Sequence, residues 1–158
     1  MKKARILPVV SLSAEYLVMG HLLRRNILTY KAPQNTEGYD LICLNTDNKK
    51  QARIQVKSRY ATDSDKAVPI KEKTFEHFEF LTVVFLNIGN FYRKQNRSSS
   101  PTLPEFYTLP RDFVANHHKK FDSGFQKFET KKLNIEHFKN ALGFELIAKY
   151  LKIPPTTL

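Results

Sequence analysis

An α/β fold is predicted, with a mixed sheet of four to five strands flanked by helices. Three observations predict it. A stretch with helical apolar spacing begins near Ser13, and two short strand-like runs joined by turn residues follow. A nearly continuous β-branched run, Leu81 to Leu86, then has the character of a central strand buried on both faces. The length of 158 residues fits one domain, residues 1–158, and is long enough to bury a core.

The elements follow in chain order. Ser13 is the expected N-cap of a helix that runs to about Arg25. Leu12, Glu15, Met19 and Leu22 fall on one stripe, widened by Tyr16 and Leu23, which puts a carboxylate on an otherwise apolar face. Arg24, Arg25 and Asn26 suit the helix end. Ile27 to Lys31 reads as a first strand, closed by Ala32-Pro33 and a polar loop to Gly38. Tyr39 to Asn45 and Ala52 to Arg59 read as a hairpin, because Thr46-Asp47-Asn48-Lys49-Lys50 between them is turn chemistry. In the second of these runs Ala52, Ile54 and Val56 share one face, while Arg53, Gln55, Lys57 and Arg59 share the other.

Beyond the hairpin, Ala61 to Lys73 is polar and loop-like, and Phe75 to Phe78 suits a short helical turn. Arg93 to Pro104 reads as a loop, and Phe106 to Leu109 as a short strand. Pro110 is placed at the first position of a helix extending to about Lys120. Asn134 to Lys152 is expected to be largely helical, broken near Gly143 and stopped by Pro154-Pro155.

Composition narrows the function. The apolar fraction of 41% and charged fraction of 26% belong to an ordinary globular chain. The best apolar run, Phe80 to Ile88, is core-strand length, which argues against a membrane span, and Ile6 to Leu12 is too short and broken for a signal peptide. The single cysteine, Cys43, excludes an internal disulfide, reads as a small buried hydrophobe, and points to a reducing cytoplasm. No zinc-ligand pattern is present. Lysine and arginine total 26 against 15 acids, a formal charge of +11, which favours a polyanionic partner.

One helical glutamate, Glu15, one aspartate at the mouth of a strand, Asp40, and Gln55-Val56-Lys57 on the next strand make up the chemical constellation. With this order of elements, the chain resembles the PD-(D/E)XK nuclease superfamily, the restriction-endonuclease-like and Holliday-junction-resolvase-like enzymes. The motif-bearing part covers about Ser11 to Arg59. The resemblance implies an αβββαβα core and assigns Asp40 to the motif aspartate, Gln55 to the (D/E) position and Lys57 to the motif lysine. It makes Glu15 the helical glutamate and the carbonyl of Val56 a further ligand. It also implies Mg2+, with Mn2+ able to substitute, a DNA substrate with RNA as the alternative, and a homodimer.

Those residue types suit the chemistry. A hard divalent cation prefers oxygen ligands, lowers the pKa of a bound water and offsets charge at phosphorus; a lysine beside it orients that water or neutralises charge. Two departures stand out. Tyr39 replaces the motif proline, and Gln55 supplies an amide oxygen where an acid is usual, removing one negative charge from the ligand set.

Each residue also has a plainer reading. Glu15 at a helix start gains about 0.3–1 kcal/mol from the helix dipole alone. Asp40 suits a turn beside Gly38, and Lys57 suits a solvated strand. Arg53 and Arg59 flank the constellation as phosphate contacts or as exposed edge cations. Lys119 and Lys120 read the same way, after His117 and His118, which share no helix face. Phe121, Phe125 and Phe128 stand among lysines, a pattern shared by core aromatics and by single-strand stacking surfaces. A catalytically weak protein that keeps the fold and binds nucleic acid is the alternative function. An interaction or toxin-type domain meeting an acidic partner is a third reading.

Overall fold

Helix α1 spans Val9–Arg24 and packs through Ala14, Val18 and Leu22, a stripe at i, i+4, i+8. The expected stripe is therefore corrected: Leu12, Tyr16 and Leu23 face solvent, and Met19 only flanks the buried line. Ser13 lies inside the helix, where its hydroxyl donates to the carbonyl of Val10, so it is not the cap. The other end follows expectation. Asn26 is left-handed (φ 60°), and the amides of Asn26 and Ile27 return to the carbonyls of Leu23 and Leu22, closing the helix in a Schellman pattern. The computed structural model describes residues 9–60, 62, 67–89 and 100–155. The basic N-terminus, residues 93–99 of the predicted 93–104 loop and part of the 61–73 loop lie outside them.

Five strands form the main sheet: β1 (Leu28–Lys31), β2 (Leu41–Leu44), β3 (Gln51–Arg59), β5 (Phe80–Phe85) and β6 (Glu105–Pro110), in the spatial order β1-β2-β3-β5-β6. All neighbours are antiparallel except β3 and β5, which run parallel. The fold is thus a mixed α/β sheet flanked by helices, as expected. The parallel crossover is carried by β4 (Ala67–Pro69) and a 3-10 turn at Glu72–His77 rather than by an α-helix.

The register explains the two faces. Ile54 pairs with Phe80 and Val56 with Thr82, and these side chains meet α1 and the C-terminal helix α3 (Ala141–Leu151) in one core. Gln55 pairs with Leu81 and Lys57 with Val83, which point to the opposite face. There a second core, built on Leu81, Val83, Phe85, Leu109 and Phe128, is covered by α2 (Arg111–His117) and a small antiparallel sheet. That sheet has the order β4-β8-β7, with β7 at His118–Lys120 and β8 at Gln126–Glu129. The polar face of β3 is therefore not a free surface but the margin of a covered one.

Three expectations change here. The helix after β6 begins at Arg111, with Pro110 as the residue before it, and ends at His117, because His118–Lys120 leaves as a strand. The predicted loop before Lys73 contains β4. Gly143 lies within α3, not at a break, and the residue is needed for close packing: a Cβ there would collide with the carbonyl oxygen of Phe138 and lie 3.0 Å from Thr108 Cβ. Gly143→Ala is expected to cost about 1–3 kcal/mol of stability by overpacking. Urea denaturation will read it as a lower midpoint with an unchanged slope.

Candidate active site

Asp40 sits one residue before β2. Ala32 donates its amide to the carbonyl of Asp40, and the amide of Asp40 donates to the carbonyl of Ile54, so the ladder fixes its backbone on both sides. The chain reaches it through Gly38 (φ +88°), whose hypothetical Cβ would lie 2.5 Å from His77 Cβ and Nδ1. Only glycine fits this approach. The hairpin that carries the site is tied at its far end by Asn45 and Asn48, whose Nδ2 groups donate to the carbonyl of Leu151 at 2.8 and 3.1 Å.

The carboxylate of Asp40 meets β3 directly. Its Oδ2 accepts from Gln55 Nε2 at 2.7 Å and from the amide of Val56 at 2.8 Å. Among the described residues nothing donates to Asp40 Oδ1 or binds Gln55 Oε1, so each side chain keeps one unengaged oxygen. The carbonyl of Val56 receives a longer 3.4 Å contact from Gln55 Nε2. Burial pushes the Asp40 carboxyl above its ordinary range, against the opposing pull of the Val56 amide and of the charges on Lys57 and Lys31. Lys57 is half-buried, and no described residue accepts from its ammonium. Burial lowers its pKa, the charge of Asp40 works against that shift, and Arg59 adds to it.

Gln55 and Lys57 line a cleft of 360 Å³ that runs from Gly38 past Ile70 and Lys71 to Phe125 and Gln126. Its walls are β3 on one side and the hairpin of β7 and β8 on the other. A volume of this size suits a small polar ligand or one nucleotide unit, within the common range of about 300–1,000 Å³.

Of the sequence-derived candidates, Asp40, Gln55, Val56 and Lys57 come together. Glu15 does not join them by contact: it forms an ion pair with Lys31, whose ammonium also lies 5.5 Å from the ring of Tyr16. Lys31 thus stands electrically between Glu15 and Asp40. The β1–β2 register sets Lys31 opposite Leu41 and so beside Asp40. Among the described residues no three His, Cys, Asp or Glu side chains cluster as metal ligands.

Arg53 is engaged elsewhere. Its guanidinium reaches Glu79 Oε1 at 2.7 Å and the carbonyl of Glu76 at 3.1 Å, and Arg111 shares Glu79 at 3.2 Å. This cluster joins β3 and α2 through Glu79, the residue before β5. Arg59 donates through Nε to the carbonyl of Ala67, tying β3 to β4. Lys119 pairs with Glu129 at 2.9 Å, and Lys120 with Glu72. His117 and His118 share their ring nitrogens with the carbonyls of Phe113 and Ile70, at 2.9 and 2.8 Å.

Neither a protein-family model nor a curated protein sequence matches the chain. A solved structure does: a bacterial homing endonuclease, I-Ssp6803I, superposes with a TM-score of 0.54 at 15% identity, covering 92% of this chain and 94% of that one. This chain has a nuclease-like α/β fold. The likeness spans both lengths almost completely, so the main sheet and the covering elements belong to one shared architecture. No helix among the described residues is long and apolar enough to cross a membrane.

Proposed function

We propose that the chain is a metal-dependent endonuclease of the PD-(D/E)XK type that hydrolyses DNA phosphodiester bonds where Asp40 meets the cleft lined by Gln55 and Lys57. The observation that carries this reading is the junction of Asp40 with Gln55 and Val56, beside a lysine that finds no acceptor among the described residues. The nuclease-like fold supports it, and so does the charge of +11.

The donor set fits Mg2+ or Mn2+. Asp40 Oδ1 and Gln55 Oε1 are hard oxygens unengaged by the described residues, and such ions commonly bind through one or two protein oxygens together with water and substrate phosphate. Asp40 and Gln55 would hold the ion, with the Val56 carbonyl beside them. When bound, it would supply Lewis-acid stabilisation of phosphate charge and a more acidic water. Lys57 would donate to the water or to a phosphate oxygen, since no described residue accepts from its ammonium. Glu15 could join only after leaving Lys31.

The replacement of an acid by Gln55 has a structural return. An amide can donate to Asp40, whereas a second carboxylate would repel it, so the protein holds these strands together without an ion. Gln55→Glu is expected to lower metal-free stability by about 1–3 kcal/mol, through the lost donor and the like charge. Thermal melts should recover in Mn2+, and calorimetric titration should show tighter Mn2+ binding. An unchanged metal affinity would remove Gln55 from the ligand set.

The reading is tested by relaxation of supercoiled plasmid with Mg2+ or Mn2+, against EDTA. Cutting that survives both Asp40→Asn and Lys57→Met would assign the activity to something other than this site. Salt-dependent DNA binding without cutting in any metal would favour a non-catalytic nucleic-acid-binding protein instead.

A further inference from the structure

The hairpin opposite Lys57 ends in Phe121-Asp122-Ser123-Gly124-Phe125. Its turn is closed by the amide of Phe121 on the carbonyl of Phe125 (3.0 Å) and the amide of Gly124 on the carbonyl of Phe121 (2.9 Å). Gly124 is left-handed (φ +83°), and a Cβ there would meet nothing within 4 Å, so the tip stands in open space. Three residues beyond Phe125, Phe128 is fully buried and anchors β8 in the second core. The hairpin is therefore fastened at its base and bare at its tip.

The tip carries two phenyl rings, 46% and 52% exposed, with centroids 6.1 Å apart and planes inclined by 32°. Lys127 Nζ lies 5.3 Å from the Phe121 centroid, and Phe125 also lines the cleft that holds Gln55 and Lys57. Lys127 lies at the ring, and Lys119 and Lys120 lead into Phe121 from β7. Lys119 and the Lys120–Glu72 pair are more than half open to water, whereas Lys127 and Glu129 are mostly covered, so the two β7 lysines are the ones that can turn to a phosphate at little cost. An apolar surface ringed by cations, on the lip of a cleft, matches one chemistry well: a nucleobase lying on a ring, with its phosphates on the lysines.

Phenyl rings have no hydrogen-bonding edge, so they offer stacking without reading sequence. A base within a duplex has both faces covered by its neighbours and cannot lie flat on them. We propose that Phe121 and Phe125 form a stacking platform for an unpaired base, so that the cleft takes single-stranded or locally opened DNA. The 6.1 Å separation keeps the rings in mutual contact, which makes a platform and not a two-sided clamp. This inference rests on the nuclease reading only for the position of the scissile phosphate.

The test uses the full chain in EDTA with oligonucleotides carrying 2-aminopurine, single-stranded or in a duplex. Wild type should change the 2-aminopurine fluorescence of the single strand and bind it in preference to the duplex. Phe125→Ala and the Phe121→Ala, Phe125→Ala pair should bind the single strand about 10-fold more weakly, with duplex binding changed less than about twofold. Phe125→Leu, which keeps apolar area, should lose the fluorescence change. Equal weakening of both DNAs, no weakening, or a tip variant that alters the protein's mass by sedimentation would overturn the platform, the last by making the tip a contact between copies. The two readings separate cleanly. Cleavage of duplex plasmid with no effect of the tip variants would overturn the platform and leave the nuclease standing. Base stacking by a protein that cuts in no metal would do the reverse.

Discussion

Asp40→Asn is expected to lower plasmid cleavage by about 100- to 10,000-fold while leaving the chain folded. Asparagine keeps an oxygen for the Val56 amide and the Gln55 amide, which wild type bonds at 2.8 and 2.7 Å, but it removes the charge that would hold a divalent ion. Stability should respond to pH in a defined sense. Burial raises the Asp40 pKa in the folded state, so the folded chain holds that proton more tightly than the unfolded one. The contribution of Asp40 to stability is therefore fully present below the unfolded value of 3.8 and declines as pH rises through the folded value. Asp40→Asn has no such decline and should gain on wild type across that interval. Asp40→Ala differs, because it strands two donors and should cost about 1–3 kcal/mol at every pH. Denaturation curves from pH 3 to pH 7, with Mn2+ binding measured alongside, distinguish the charge from the hydrogen bonds.

Lys57→Met is expected to reduce cleavage by about 100- to 1,000-fold and at the same time to stabilise the protein. The ammonium is half-buried beside Val83 with no acceptor among the described residues, and burial lowers its pKa. A methionine of similar length removes that cost, for a gain of roughly 0.5–2 kcal/mol at neutral pH. A lowered lysine pKa means that the folded chain releases the proton earlier than the unfolded one. Wild-type stability should rise as pH climbs from the folded value towards 10.5, and the advantage of Lys57→Met should shrink over the same interval. A variant that is less stable than wild type, or equally active, would show that Lys57 is an ordinary structural residue.

The strands that pack on both faces were legible in the sequence. Leu81 to Leu86 announced a buried strand, and β5 is buried at every position. The alternation in β3 predicted which side Ile54 and Val56 would take. The small sheet was not legible, because Ala67–Pro69, His118–Lys120 and Gln126–Glu129 are only three or four residues long and the last two are mostly polar. Only Val68 and Phe128 among them reach the core, too few to set a period of two. For the same reason the polar face of β3 looked solvated, when its cover came from residues distant in sequence. In α1 the packed line passes through Ala14, a small residue that permits close approach to the sheet and carries little apolar signal beside Leu12, Tyr16 and Leu23.

The site was legible in its types and less so in its partners. Asp40, Gln55 and Lys57 stood out because polar groups occupy strand positions. Which of them would touch depended on the pairing of Leu41 with Ile54, a register that only tertiary contact fixes. The bond of Lys31 to Glu15 also required knowing how α1 lies across β1.

Asn45 and Asn48 fasten the hairpin of Asp40 and Gln55 to Leu151, partners 106 and 103 residues later in the chain. A ribosome releases residues one at a time, and the earlier part of a chain starts to organise first. Here the two strands emerge early but gain their anchor only when α3 has been made. The cleft therefore reaches its finished shape only after the residues up to Leu151 have left the exit tunnel. Until then, a growing polypeptide held close to ribosomal RNA and messenger would lack an anchored cleft.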